Sequence, residues 1–456
     1  MQAITRTLAA DHVTPVRAYA ALRAHAAGTS SFLLESVVPG ERWGRYSIVG
    51  YRPRHESNHA ATGDALASLG AEMLQVPEVD GLAARFSQAL IGYIAFDAVH
   101  LANKVPAWPE QGDLVRTMRD CTVIVFDNLR QTLTIAGRSE DDVEQCASDM
   151  AHGPELRPMT PPDPAAAPGD LEISMDDFVY AQKVERAKEY IRAGDAFQIV
   201  LARTFTTPQN GADPFDVYRA LRVLSPSPYL YFLDFAGTST AEPLSVAGAS
   251  PETMVRVESN TMTLRPIAGT RPRGKCGEED AALATELLGD PKERAEHVML
   301  IDLARNDLGR VCRPGTIGLT ANMEVERYSH VMHIVSEVTG ELRPGNAPID
   351  VVRASFPAGT LSGAPKVRAT QIIRELERRS RGVYGGAIGW MSARELDLAI
   401  AIRTVVAHRG KLEVTAGAGI VEGSVPEMEA EETRNKARAA LAAIRAAQDA
   451  AAEVLG

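Results

Sequence analysis

The sequence predicts an α+β fold, on two observations. Strand-like runs sit close together with two-residue turns between them, at Ser259-Asn260 and Arg409-Gly410, which favours antiparallel pairing. Helical stretches come in separated blocks and do not alternate regularly with strands as a βαβ chain requires. The 456 residues are 45% apolar and 23% charged, which are globular values and suit two or three units of ordinary size.

In chain order, residues 17–23 read as helix, while FLL (32–34), LIGYI (90–94) and CTVIVF (121–126) are short apolar runs bounded by polar turns, the pattern of strands. The stretch GPELRPMTPPDPAAAPG (153–169) carries six prolines. Proline fixes φ and lacks a donor, so this is read as an exposed linker between an N-terminal part, 1–152, and a C-terminal part, 170–456. A long amphipathic helix spans 176–193 and stops at Gly194. Further strands are expected at 199–202, 229–232, 253–257, 261–264, 386–390, 398–402 and 412–416.

Several classes are disfavoured. Forty-eight basic against 59 acidic residues give a net charge of −11, and aromatics are only 5%, so neither a polyanion-binding nor a base-stacking surface is expected. No run of 18 apolar residues occurs, and MQAITRTLAADHVTP lacks the apolar stretch of a signal peptide. Cys121, Cys146, Cys276 and Cys312 are scattered without a CxxC pair and read as reduced thiols of a cytoplasmic protein.

Two acidic helices offer chemistry. One starts at Asp290-Pro291-Lys292-Glu293, an N-cap, an N1 proline and an N3 acid, and carries Glu296 and His297 in its second turn. The other starts at Ser424-Val425-Pro426-Glu427 and carries Glu429, Glu432 and Lys436 at i, i+3 and i+7, on one face. Carboxylates one turn apart, beside an ammonium, suit a divalent cation holding an anionic substrate. The same acids would also simply offset a helix macrodipole. RPIAGTRPRGKC (265–276) nearly fits a phosphate loop. Cys276 replaces the magnesium-ligating hydroxyl, however, and no helix is expected at Lys275, which disfavours a nucleotide. His330 and His333 suit either a metal pair or packed histidines. Thr360 to Lys366 precedes a helix with Ile372, Ile373 and Leu376 on its apolar face, where free amides could hold an anion or merely cap. The glycines at 417 and 419, at 385 and 386, and at 389 permit close backbone approach. With Arg403, expected on a strand, these features suit a small polyanion carried on a metal.

The runs PIAGTRPRG (266–274), DPKERAEHVMLIDLARNDLGR (290–310), YSHVMHIVSEVTG (328–340), FPAGTLSGAPKVRA (356–369), YGGAIGW (384–390) and AGAGIVEGSVPEMEAEETRNKA (416–437), in this order, resemble the chorismate-binding enzyme family over nearly the whole chain. The resemblance implies a large antiparallel β-sandwich flanked by helices. It also implies conversion of chorismate and ammonia, through aminodeoxyisochorismate, to anthranilate and pyruvate, the first step of tryptophan synthesis. By motif position, Glu296, Glu429 and Glu432 would hold Mg²⁺. Glu252 would protonate the leaving hydroxyl, His333 would serve pyruvate elimination, and Thr360, with Gly363, would lie near the ring. Gly269, Thr270, Tyr384, Arg403, Gly417, Ala418, Gly419 and Lys436 would hold the substrate.

Two positions separate branches of the family. Ala268 stands where aminodeoxychorismate synthases, the alternative reading, carry a lysine nucleophile. Gln198 stands where isochorismate and salicylate synthases carry a lysine base. Both point to the anthranilate-forming branch. Leu34-Glu35-Ser36, Arg45 and Ser225-Pro226-Ser227-Pro228-Tyr229-Leu230 resemble the family's L-tryptophan feedback site, with Ser225 in place of the usual asparagine and Leu230 where methionine is common. No G-x-C-x-G amidotransferase elbow occurs. The resemblance therefore implies a separate glutamine amidotransferase subunit that supplies ammonia, in a heterodimer or a dimer of heterodimers. Two further readings remain: an amino-acid-binding regulator without turnover, and a nucleotide binder using residues 269–276.

Overall fold

The computed structural model describes residues 3–36, 44–109, 112–328 and 331–455. Among the described residues every strand pairing is antiparallel, and the strands gather into two large sheets. Among the described residues the first has twelve strands, in spatial order Ile4–Ala9, Thr132–Gly137, Thr122–Asp127, Tyr46–Tyr51, Ser31–Glu35, Tyr229–Phe235, Leu244–Ser250, Thr404–His408, Lys411–Ile420, Gln198–Pro208 and Gly363–Ala364, with Glu172–Ile173 beside Gln198–Pro208. The second has ten, in order Ile267–Pro272, Val331–Glu341, Thr261–Leu264, Thr253–Glu258, Leu396–Ile400, Ala387–Met391, Leu90–Ile94, Val115–Arg119 and His55–His59, with Gly318–Arg327 beside Val331–Glu341.

Sequence-distant strands knit these sheets. Ser31–Glu35 pairs with Tyr229–Phe235, and Leu90–Ile94 pairs with Ala387–Met391, so strands from both sides of the proline-rich stretch share each sheet. Phe32, Ile91, Tyr93, Val123, Tyr231, Leu233, Val246 and Ile388 fill the layer between the sheets. The outer face of the first sheet is covered by the helices Pro15–His25, Pro214–Leu224 and Pro426–Leu455, and that of the second by Ala65–Met73, Pro291–Val311 and Pro348–Ser355. The result is the expected α+β sandwich with helices on both sides.

Local signals behave as their chemistry requires. Ser259 (φ +49°), Asn260 (+66°), Arg409 (+49°) and Gly410 (+71°) are left-handed, as two-residue hairpin turns demand. The Asp176 carboxylate caps the Asp177–Arg192 helix by accepting from Val179 N, and Gly194 (φ +83°) follows its end. The Asp290 carboxylate accepts from the amides of Lys292 and Glu293. Three expectations need correction. Arg403 lies outside any strand: the Leu396–Ile400 strand ends earlier, and Arg403 turns the chain with φ +49°. A helix does follow the glycine-rich 265–276 stretch, as Gly277–Gly289. The strand expected at 199–202 runs on as Gln198–Pro208, buried at all but its last residue and paired with Lys411–Ile420 from Ile199 onward.

Candidate active site

Two of the links that carry the chain from one sheet to the other each present a charged side chain to the same region. Pro251 and Glu252 connect Leu244–Ser250 of the first sheet to Thr253–Glu258 of the second. Ala401, Ile402 and Arg403 make the return crossing from Leu396–Ile400 to Thr404–His408. The links are tied together: Ile400 N donates to Glu252 O at 3.0 Å, and Ala249 N donates to Arg403 O at 3.1 Å.

The Glu252 carboxyl meets the Thr360 hydroxyl, which donates to Oε1 at 2.9 Å. Burial pushes its pKa up to about 7, against the opposing pull of the Thr360 bond and of the Lys436 and Arg403 charges. Arg403, also shielded from water, has its pKa lowered by burial, with Glu252 opposing. Its Nη1 approaches Ser225 Oγ at 3.5 Å.

The floor is backbone. A Cβ on Gly417 would stand 2.7 Å from Leu201 O and 3.0 Å from the Tyr384 hydroxyl, and one on Gly419 would stand 2.8 Å from Gln198 Nε2. Gly417 O accepts from Lys436 Nζ at 3.0 Å, and the same ammonium meets Glu432 at 2.7 Å. Ala418, between the two glycines, turns its methyl into the core with Tyr180 and Val184, so only its backbone is left to face a ligand. Gly269 (φ +67°) sits at a bulge in Ile267–Pro272. Its carbonyl accepts from His333 Nδ1 at 2.9 Å, and the Thr270 hydroxyl lies 3.1 Å from the same nitrogen. Burial first, and the Arg403 charge after it, lower the His333 pKa. A neutral ring with Nδ1–H engaged leaves Nε2 as a proton acceptor.

Glu296 comes from the Pro291–Val311 helix, where Gln198 Nε2 donates to its Oε1 at 3.4 Å. Burial raises its pKa, and the Glu293 and Glu432 charges add to the effect. Glu429 is likewise raised, by burial first and then by Glu432, with Ser424, Lys436 and Lys292 opposing. Carboxylates from two distant helices therefore repel one another across one region. Among the described residues, no three His, Cys, Asp or Glu side chains converge closely enough to hold an ion unaided. Mg²⁺ is ordinarily held by one or two carboxylates plus water and substrate oxygens, so these acids fit such an ion as partial ligands.

The seven residues assigned to an inhibitor also gather. Leu34, Glu35, Ser36, Arg45, Pro228, Tyr229 and Leu230 all line one cavity of about 700 Å³. Glu35 is buried and accepts from the Tyr218 hydroxyl at 2.6 Å and from Arg222 Nε at 3.0 Å. Arg45 is paired with Asp127 at 2.9 Å. The Ser36 hydroxyl is buried with no hydrogen-bond partner among the described residues.

Elsewhere the candidates divide. His330 lies outside the described residues, so its spacing to His333 carries nothing further. The 269–276 stretch is occupied by its own acids: Gly274 N and Lys275 N donate to Asp280 and Glu279, and Arg271 is held by Glu286, Asp290 and Glu293. Those two amides and the Arg271 guanidinium are therefore already engaged within the protein. Sequence reasoning named His297 but gave it no role; it is fully buried, with Nε2 2.7 Å from Ser336 Oγ. It passed over the buried Lys366–Asp307 pair at 2.9 Å. Only the polar residue within an apolar helical face signals either one.

A sequence profile described as chorismate binding enzyme matches residues 29–442. The chain belongs to the chorismate-binding enzyme family. It is 42% identical to the anthranilate synthase component 1 of Pseudomonas putida, over 97% of this chain and 95% of that one. It is 44% identical to that of Pseudomonas aeruginosa, over 96% and 94%. The crystal structure of anthranilate synthase component I from Streptococcus pneumoniae TIGR4 superposes with a TM-score of 0.76 at 35% identity, over 89% of this chain and 94% of that one. A menaquinone-specific isochorismate synthase from Escherichia coli shares the fold, with a TM-score of 0.70 at 21% identity over 97% and 95%. Among the described residues no helix is long and apolar enough to cross a membrane, and all four cysteines are free.

Proposed function

We propose that this chain is the large subunit of an anthranilate synthase, converting chorismate and ammonia to anthranilate and pyruvate in the cytoplasm. The carrying observation is Glu252: a half-buried carboxyl whose pKa desolvation raises to about 7, within reach of Thr360, Arg403 and Lys436, is suited to protonate a leaving hydroxyl at neutral pH. Arg403 and the amides of the Gly417–Gly419 stretch would receive carboxylates, with Lys436 beside them. His333, held neutral with its tautomer set by Gly269, would take the proton as pyruvate leaves. Glu296, Glu429 and Glu432 would hold Mg²⁺, which when bound draws electron density from the ring and offsets substrate charge. Ala268 offers no nucleophile, so ammonia itself must attack the ring. A partner glutamine amidotransferase would supply that ammonia, and L-tryptophan in the cavity of about 700 Å³ would inhibit.

The test is chorismate with Mg²⁺ and an ammonium salt at alkaline pH, followed by product identification. Fluorescent anthranilate with an equal yield of pyruvate is expected. Accumulation of non-aromatic aminodeoxychorismate would reject the reading in favour of its sister activity.

A further inference from the structure

One strand borders both the cavity and the links that carry Glu252 and Arg403. Tyr229 and Tyr231, on Tyr229–Phe235, both line the cavity. The buried Tyr229 hydroxyl donates to Asp397 Oδ1 at 2.9 Å and so accepts the hydroxyl proton of Thr253, also at 2.9 Å. Thr253 directly follows Glu252. Asp397 lies on Leu396–Ile400, the strand whose last amide binds the Glu252 carbonyl.

Tyr231 repeats the arrangement on the other link. It pairs in register with Gly248, which pairs in turn with Thr404. A Cβ on Gly248 would come within 2.1 Å of the Tyr231 ring. The missing side chain lets that ring lie across the intervening strand and reach Thr404 Oγ1 at 2.7 Å. Thr404 directly follows Arg403, and its hydroxyl donates to Ile402 O at 2.9 Å, bracketing the left-handed Arg403. Each tyrosine at the cavity wall therefore holds the threonine immediately after one of the two charged groups that flank the chorismate cleft.

We propose that the pairs Tyr229–Thr253 and Tyr231–Thr404 are positioning contacts through which occupation of the cavity is felt at Glu252 and Arg403. The proposal rests on reading the cavity as an inhibitor site and names its route to the chemistry. A ligand that binds best when either ring is displaced draws the attached threonine with it, and through one peptide unit moves the acid or the guanidinium. Displacement of a reacting group by ~1 Å can cost ~10²-fold in rate. A ligand indifferent to the ring positions would shift nothing.

The test uses the full chain and three forms: unaltered, Thr253→Val with Thr404→Val, and Thr253→Ser with Thr404→Ser. Tryptophan binding is read by calorimetry, and ammonia-dependent turnover is read with and without saturating tryptophan. In the unaltered chain tryptophan should lower turnover by about fivefold or more. In the valine form that ratio should fall to about one while Kd changes by less than about threefold. The serine form, which keeps both hydroxyls, should restore the ratio. A merely structural role would change turnover in both columns and leave the ratio alone. Full inhibition of the valine form at unchanged Kd would overturn the proposal. So would a serine form as insensitive as the valine form. A flat titration of the unaltered chain would instead overturn the inhibitor reading beneath it.

Discussion

Glu252, Glu429 and Glu432 lie within electrostatic reach of one ammonium, Lys436, yet the surroundings of Glu252 differ from those of the trio Glu296, Glu429 and Glu432. Glu252 is half-buried, has no other carboxylate among the described residues acting on it, and is bonded to a hydroxyl. The trio sit on two helices, partly hydrated, and feel one another's charge. Burial of a solitary acid favours its neutral form, which can give a proton. Grouping of half-hydrated acids leaves unfavourable negative charge, which a divalent cation can offset. The Asp307 carboxyl makes a third case: also buried, it is matched by Lys366 at 2.9 Å and is tied up structurally. The contrast teaches that the partner, more than the depth, decides what a buried carboxyl can do.

This comparison can be broken at each carboxyl. Glu252→Gln removes the proton donor and should cut anthranilate formation about 10³-fold, read as steady-state kcat, while thermal unfolding stays close to the parent. Lys366→Met should do the reverse. It strands Asp307 and should lower unfolding free energy by about 3–5 kcal/mol in denaturant titration. Glu432→Gln should reduce metal-dependent turnover about 10²-fold and raise the Mg²⁺ concentration for half-maximal rate; an unchanged Mg²⁺ dependence would remove Glu432 from the metal site. Thr360→Val has the smallest effect, about tenfold in kcat/KM. It also carries a signed pH dependence. The protonated Glu252 is the active form, so kcat/KM, corrected for free ammonia, should fall as pH rises through about 7. The Thr360 bond favours the charged form, so its loss should move that falling limb to higher pH.

What could be read from the sequence was what short-range chemistry sets. The hairpin turns at Ser259-Asn260 and Arg409-Gly410, the Asp176 and Asp290 caps, and the LIGYI strand at Leu90–Ile94 depend on neighbours a few residues away. The pairing of Ser31–Glu35 with Tyr229–Phe235 does not, because nothing within either run names its partner. Gly318–Arg327 was missed because its alternating exposure lacks an apolar run. Arg403 was assigned to a strand because its apolar neighbours hide a left-handed turn. Within the site, the spacing of Glu429, Glu432 and Lys436 was visible as a helical face. Glu252 was legible only through family resemblance, since its raised pKa comes from burial between two sheets. Thr253 and Thr404 gave no signal, because their importance lies in tyrosines that reach them across strands.

The protonation state of Glu252 tests this account most directly. Infrared difference spectra of the unaltered chain minus Glu252→Gln, taken across a pH series, isolate that one carboxyl. The account predicts a protonated carboxyl stretch that is present in mild acid and disappears around a midpoint of about pH 7. A carboxyl already ionised throughout that range, titrating where an ordinary glutamate does, would contradict it.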